Sequence, residues 1–276
     1  MAYFSAPHED LARTATAVTG SAEDPAYPGA NLISEDPAKP AKLTTATGSW
    51  VLQFGAKIAP VAAFLFYQYL DAGLSVLLQA NDTDSWGSPA FSQAFTIPAK
   101  RLDGPTYQKW TVSPWILLND LPDPTGYLYW RLQIAGTNSQ AITVGRLFLA
   151  SALHRPTLFH DPDIQEDDEQ FDVWQPTELR SETVIPIGGP RRSVAGLLLG
   201  SDLSAGTSPV QSAADFRALY ESAEGRAHPF PFVPFELNDA WPVRFETPNA
   251  PRAHHSGGYQ AWRFSVREVS RGLPWP

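Results

Sequence analysis

Four aromatic side chains, Trp86, Phe91, Tyr107 and Trp110, stand in or beside predicted loops of the first half of the chain. Rings at loop positions can stack on the apolar faces of sugars, so these four are candidate glycan contacts. The competing reading is that they fill a core or its ends. The acidic run Asp161, Asp163, Glu166, Asp167, Asp168 and Glu169 raises a different chemistry, a hard cation held by carboxylates. Calcium needs six to eight oxygens converging on one point. Asp161-x-Asp163 starts like a ligand loop, but the glycine and terminal glutamate of an EF-hand are not in place. A solvated acidic segment is the expectation. Asn81, Asp82 and Asp84 likewise read as a polar turn between strands rather than an ion site.

Histidine chemistry is thinly provided. His254 and His255 are adjacent, whereas zinc motifs on a helix want i, i+4 spacing or a glutamate partner. The segment Pro251 to Gly258 reads as a loop that exposes them. His160 beside Asp161 and Asp163 makes a weak metal set. There is no G-x-S-x-G elbow, no phosphate-cradling glycine motif and no cysteine nucleophile. No catalytic residue, cofactor site or metal ligand is therefore assigned, and the chain is not read as an enzyme.

Composition narrows the class further. The 276 residues suffice for two medium domains. The 26 prolines are about twice the usual share, which favours short strands and ordered loops. The absence of cysteine excludes disulfides and thiolate metal sites. A net charge of -9 argues against non-specific nucleic-acid binding. No apolar run approaches the roughly 20 residues of a membrane span. The early His8, Glu9 and Asp10 leave no room for a secretory h-region, so the Asn81-Asp82-Thr83 sequon carries no weight.

These residues have to be positioned by strands. Residues 1 to about 30 read as an arm or edge strand, and Asp36 to Pro40 as a loop. Strand signals run through Trp50–Phe54, Val61–Leu70 and Leu74–Ala80, and again at Trp110–Leu118, Tyr127–Ile134 and Ile142–Leu149. Ala63 to Tyr69 is apolar on both faces and should lie between layers. Along Tyr127–Ile134, Leu128, Trp130, Leu132 and Ile134 alternate with Tyr127, Tyr129, Arg131 and Gln133. The prediction is a mainly β protein: a jelly-roll β-sandwich over 1–155, an acidic connector over 156–183, and a β-rich domain with one helix over 184–276. That helix starts at Ser212 with Asp215 in its first turn, stacks Phe216, Leu219, Tyr220 and Ala223 on one stripe, and stops at Gly225. It should lie against the aromatic strands that follow Phe230. There Trp241, Val243 and Phe245 alternate with Arg244 and Glu246, and Trp262, Phe264 and Val266 with Arg263, Ser265 and Arg267.

Two family resemblances attach to these segments. From Asn31 to Leu149 the chain resembles galactose-binding-like, discoidin-type jelly rolls. The basis is Asn31-Leu32-Ile33-Ser34-Glu35-Asp36, the Trp50–Phe54 strand, Tyr129-x-Arg131-x-x-Ile134, and the Ile142–Leu149 strand. Ser34-Glu35 stands where that family usually has Asp-Gly, which departs from its calcium loop. From Val184 to Val269 the chain resembles distal tail proteins of long-tailed bacteriophages, on the ending Trp262-Arg263-Phe264-Ser265-Val266-Arg267-Glu268-Val269 and the Val243-Arg244-Phe245 strand. That resemblance implies a structural subunit of a virion tail tip or baseplate, assembled in the host cytoplasm as a ring, a hexamer, against the tail tube or other tail-tip proteins. Arg244, Arg263 and Arg267 are then the assembly-interface candidates. The family places its belt domain first, whereas here the jelly roll leads. The alternative is a non-enzymatic, lectin-like carbohydrate-binding protein.

Overall fold

The structure is a computed structural model of the whole chain. It describes residues 3–36, 39–71, 73–97, 113–154, 158–167, 171–176, 182–187, 191–200, 219–224, 227–233, 240–245, 252–256 and 259–269. Within 158–200 and 252–265, and at Thr96 and Glu268, the description is of the backbone alone.

The protein is mainly β. The first half supplies β1 (Tyr3–Phe4), β2 (Ala15–Gly20), β3 (Ala41–Lys42), β4 (Gly48–Ile58), β5 (Ala62–Gln68), β6 (Ser75–Asn81), β7 (Phe91–Thr96), β8 (Trp115–Leu117), β9 (Tyr127–Ala135) and β10 (Thr143–Ala150). The second half supplies β11 (Leu158–Asp167), β12 (Phe171–Pro176), β13 (Glu182–Ile187), β14 (Arg191–Gly200), β15 (Phe230–Val233), β16 (Trp241–Phe245), β17 (Arg252–Ser256) and β18 (Tyr259–Glu268).

A five-stranded sheet, β2-β4-β9-β6-β7, faces a four-stranded sheet, β3-β10-β5-β8. Trp50, Leu52, Trp130 and Leu132 from the first meet Ala63, Leu65, Leu147 and Leu149 from the second in one apolar core. Period-two alternation produces this, since side chains at i and i+2 share a face. Each fully buried large aliphatic or aromatic side chain contributes about 1.5–3 kcal/mol.

The other face of the four-stranded sheet is buried too. Phe64, Phe66 and Phe148 form a second cluster with Val233 and Ala240 from the C-terminal half. The phenyl ring of Phe64 stacks at 5.8 Å on Trp115 and meets Phe148 edge-on at 5.9 Å. Every residue of β5 is consequently buried, as its two-sided apolar run requires. Tyr67 ends that run at φ 54, in the left-handed region. From there its hydroxyl donates to the Val269 carbonyl at 3.0 Å. Gly145 on the neighbouring strand leaves the space, because a Cβ there would stand 2.6 Å from the Tyr67 Cβ.

The C-terminal half builds a seven-stranded sheet in the order β1-β15-β16-β18-β14-β11, with β17 beside β18. Three expectations are corrected by it. The acidic segment is not a connector: Leu158–Asp167 is a strand antiparallel to β14. Glu166 stands opposite Arg192 and Asp167 opposite Arg191 in its register. Asp168 and Glu169 lie outside the described residues. The same stretch also holds β12, which forms a two-stranded sheet with β13. His254 and His255 are not in a loop but in β17, facing Ala261 and Gln260 across a hairpin. The N-terminal segment is not confined to the sandwich, because β1 pairs with β15.

The predicted helix is seen in its last turn, residues 219–222. Leu219 and Ala223 are buried against Phe230, Phe232, Trp241 and Phe245, with Tyr220 5.3 Å from the Phe245 ring. Ser212, Asp215, Phe216 and Gly225 lie outside the described residues.

A charged clasp joins the N-terminal segment to both halves. Asp10, 3 % exposed, accepts from Arg146 Nη2 at 2.6 Å and from the amides of Ala12 and Leu149. Burial raises the Asp10 carboxyl, with Arg146 and the two amides opposing the rise. Glu35 binds Arg13 at 2.7 Å and His228 Nδ1 at 2.5 Å. Glu35 thus belongs to an ion-pair cluster with Arg13 and Arg146. Glu9 accepts from Ser5 Oγ at 3.0 Å and from the Ala6 amide, and meets His154 Nε2 at 2.6 Å.

Candidate functional site

With the four-stranded sheet buried on both sides, the sandwich keeps one polar sheet face, the outer face of the five-stranded layer. A row of residues in register crosses it: Thr19, Val51, Arg131, Gln79 and Ser92 on β2, β4, β9, β6 and β7. Arg131 lies at its centre. Its Nε donates to Gln79 Oε1 at 2.8 Å, and its Nη2 donates to Gln79 Oε1 and to Gln133 Oε1. Gln79 Nε2 then donates to Ser92 Oγ at 3.3 Å.

An arginine has only donors, so it fixes the orientation of both amides. Gln79 and Gln133 must present oxygen to Arg131, which leaves their NH2 groups pointing away from it. Burial lowers the Arg131 pKa, and the charge of Asp84 works against that drop. Among the described residues Arg131 makes no ion pair within salt-bridge distance.

Trp86 covers this arginine. It comes from the 82–90 loop between β6 and β7, and its ring lies 4.5 Å from the guanidinium carbon. Its Nε1 donates to Asp84 Oδ1 at 2.6 Å, and the residue stays half-exposed. The loop is tied at its base. Asn81 Nδ2 donates to the Ser85 carbonyl at 2.7 Å, and Lys57 Nζ bridges Asp82 at 2.9 Å and Asp123 at 3.1 Å. Hydrogen bonds from Thr125 Oγ1 and its amide, helped by Lys57, lower the Asp123 carboxyl to about 2. The hydrogen bonds to Asp82 and Asp123 raise Lys57 in turn. The loop aspartates and Asn81 thus act as turn and anchor residues. Among the described residues no three histidine or carboxylate side chains come together as metal ligands would.

Of the four aromatic candidates, Trp86 alone is placed at this face. Phe91 is a correction: it is 9 % exposed, part of the inter-sheet core, and 5.9 Å from the Trp130 ring. It shares the inward parity of Phe95 on β7, a period-two signal present in the sequence. Tyr107 and Trp110 lie outside the described residues. Arg131 and Gln133 stand on the polar side of the predicted β9 alternation, and Arg131 also in the motif that carries the jelly-roll resemblance, but neither is among the predicted contacts. Gln79 and Ser92 carried no sequence signal, since only the sheet register brings them beside Arg131.

The arginines of the last strands lie elsewhere, on the seven-stranded sheet. Arg244 and Arg267 are opposite each other in the register of β16 and β18, both half-buried. Among the described residues, Arg244 Nε is buried without a hydrogen-bond partner. Arg263 stands opposite Leu197 on one side and Arg252 on the other.

No protein-family model matches the chain, and no curated protein matches it. Solved structures are similar to half of it. The CBM32 of AlyQ in complex with 4,5-unsaturated mannuronic acid is 11% identical over 50% of this chain and 96% of its own, at a TM-score of 0.35. The lectin binding domain of lectinolysin complexed with Lewis b is 9% identical over 53% and 99%, at 0.37. A fucose binding module of Streptococcus pneumoniae, SpX-3, is 8% identical over 51% and 97%, at 0.36. The residues of the sheet face, not these likenesses, carry the functional reading.

Proposed function

We propose that the chain is a glycan-binding protein that holds its ligand on the outer face of the five-stranded sheet, without turning it over. One observation carries this reading: a half-exposed Trp86 ring lies against Arg131 on the one polar face that the layering leaves to the sandwich. An indole offers a flat apolar surface for a sugar ring. Arg131, Gln133 and Ser92 beside it offer hydrogen-bond donors for ring substituents. The strands beneath are fixed by the core, so the donors are pre-organised and little ordering cost is left for the ligand.

A glycan array with the purified protein tests the reading, followed by titration of the best hit. Trp86→Ala weakens that binding about tenfold or more, about 1.4 kcal/mol per factor of ten. The thermal midpoint stays near wild type, because Trp86 sits on a surface loop. An array without hits removes the reading.

A second reading, an assembly subunit of a phage tail tip or baseplate, is favoured by Arg244. A buried Nε without a hydrogen-bond partner among the described residues is costly. An acidic surface of a neighbouring subunit would relieve it. The two readings are compatible, since a tail-tip protein can carry a sugar-binding face. Light scattering of the full chain at high concentration, with a search for it in virus particles, tests this one. A cyclic oligomer that Arg244→Glu dissolves supports it, and a monomer at high concentration that is also absent from virus particles sinks it.

A further inference from the structure

We propose that the sugar bound at the Trp86–Arg131 face carries a carboxylate, with Arg131 as the residue that sets this specificity. The inference rests on the glycan-binding reading and adds the chemical class of the ligand.

The argument begins with donors and acceptors. Gln79 Oε1 accepts from Arg131 Nε and Nη2, and Gln133 Oε1 accepts from Arg131 Nη2. Ser92 Oγ accepts from Gln79 Nε2, and Asp84 Oδ1 accepts from Trp86 Nε1. The network therefore occupies most of its acceptors internally. Its donors are left over. Among the described residues, Arg131 Nη1, Gln133 Nε2 and the Ser92 hydroxyl hydrogen have no acceptor. A face of unused donors selects a ligand rich in acceptors, and neutral hydroxyls are poorer acceptors than an anionic oxygen.

Charge points the same way. The Arg131 guanidinium is ringed by two neutral amides and an aromatic face, with no ion pair among the described residues. Asp84, beyond ion-pair distance, compensates this half-buried cation only in part, and a closer counter-charge would complete the compensation. A carboxylate on a sugar ring stacked at Trp86 would supply it, accepting charge-assisted hydrogen bonds from the remaining Arg131 Nη1. Asp84 is the opposing charge at the site. It is held on Trp86 Nε1, so it weakens an anionic ligand and makes its own removal informative.

The test compares uronic-acid oligosaccharides (galacturonate, glucuronate and mannuronate series) with their methyl esters, which keep the ring and lose the charge. Calorimetry on the full chain is expected to show at least one acid bound about tenfold or more tighter than its ester. That preference weakens with added salt. Arg131→Gln abolishes it. Asp84→Asn, on the exposed loop, enlarges it and gives a readout that does not depend on changing a residue inside the sheet. Equal binding of acid and ester, or binding of neutral glycans alone, overturns the carboxylate inference and leaves the glycan-binding reading standing. Absence of binding to every acid, ester and neutral glycan removes both.

Discussion

A guanidinium in the middle of a sheet face dictates the chemistry of its neighbours. Arg131 turns two glutamines into donors aimed away from it and holds the tryptophan that lies over it. A comparable rule operates at Glu9, which is 8 % exposed. Burial raises its carboxyl, but the hydrogen bond and charge of His154, the Ala6 amide and Ser5 outweigh that, and the net shift is downward from 4.5. A lowered carboxyl stabilises the fold in full above its unfolded value and loses that contribution as the pH falls through the folded value. Glu9→Gln should therefore cost about 1–3 kcal/mol near neutral pH. The deficit should shrink as the pH drops well below 4.5. Urea denaturation of both proteins at the two pH values checks it, and a deficit that does not shrink contradicts it. At this scale the sequence was partly legible. Trp86 stood out as an aromatic in a polar loop. Phe91 looked similar until its parity with Phe95 placed it inside, and Gln79 needed the register of three strands to become visible.

The strands themselves were the most legible part, because alternation writes burial into the sequence. The exceptions have physical causes. Tyr127 was expected on the polar side of β9, but it is 3 % exposed. The β4–β9 ladder shifts register between Gln53 and Ile58, which changes how Tyr127 meets the core. The acidic strand β11 read as a connector because its arginine partners, Arg191 and Arg192, are distant in sequence. The histidines of β17 read as a loop because proline and glycine flank them. Gly126 governs the entry to β9 and hence the placing of Arg131. It has φ 82, and a Cβ there would lie 1.8 Å from the Ile58 carbonyl oxygen. Because backbone rather than a flexible side chain is in the way, Gly126→Ala should cost about 2 kcal/mol or more. Its thermal midpoint should fall accordingly, and a variant as stable as wild type would show that the entry to β9 is not held by this contact.

On the scale of the whole molecule, the layers decide which surface is available. The four-stranded sheet is covered on one side by the five-stranded sheet and on the other by the C-terminal half, through Phe64, Phe66, Phe148, Val233 and Ala240. The clasp at Glu35 and His228, the β1–β15 pairing and the Tyr67–Val269 hydrogen bond add to that junction. The two-sided apolar run of β5 announced a buried layer in the sequence. What covered it was not announced, since the aromatic strands after Phe230 read equally well as an independent sheet. This arrangement leaves the outer face of the five-stranded sheet as the polar surface of the sandwich, with Trp86 and Arg131 on it.

The most direct test of that claim is the indole N–H resonance of Trp86, assigned by its loss in Trp86→Phe and followed by NMR during titration with a glycan the protein binds. The indole N–H donates to Asp84 beside Arg131, so it reports on this face alone. A saturable shift of this resonance, together with that of Arg131 Nε–H, is the predicted result. Binding that leaves both unmoved while resonances elsewhere shift would contradict the account.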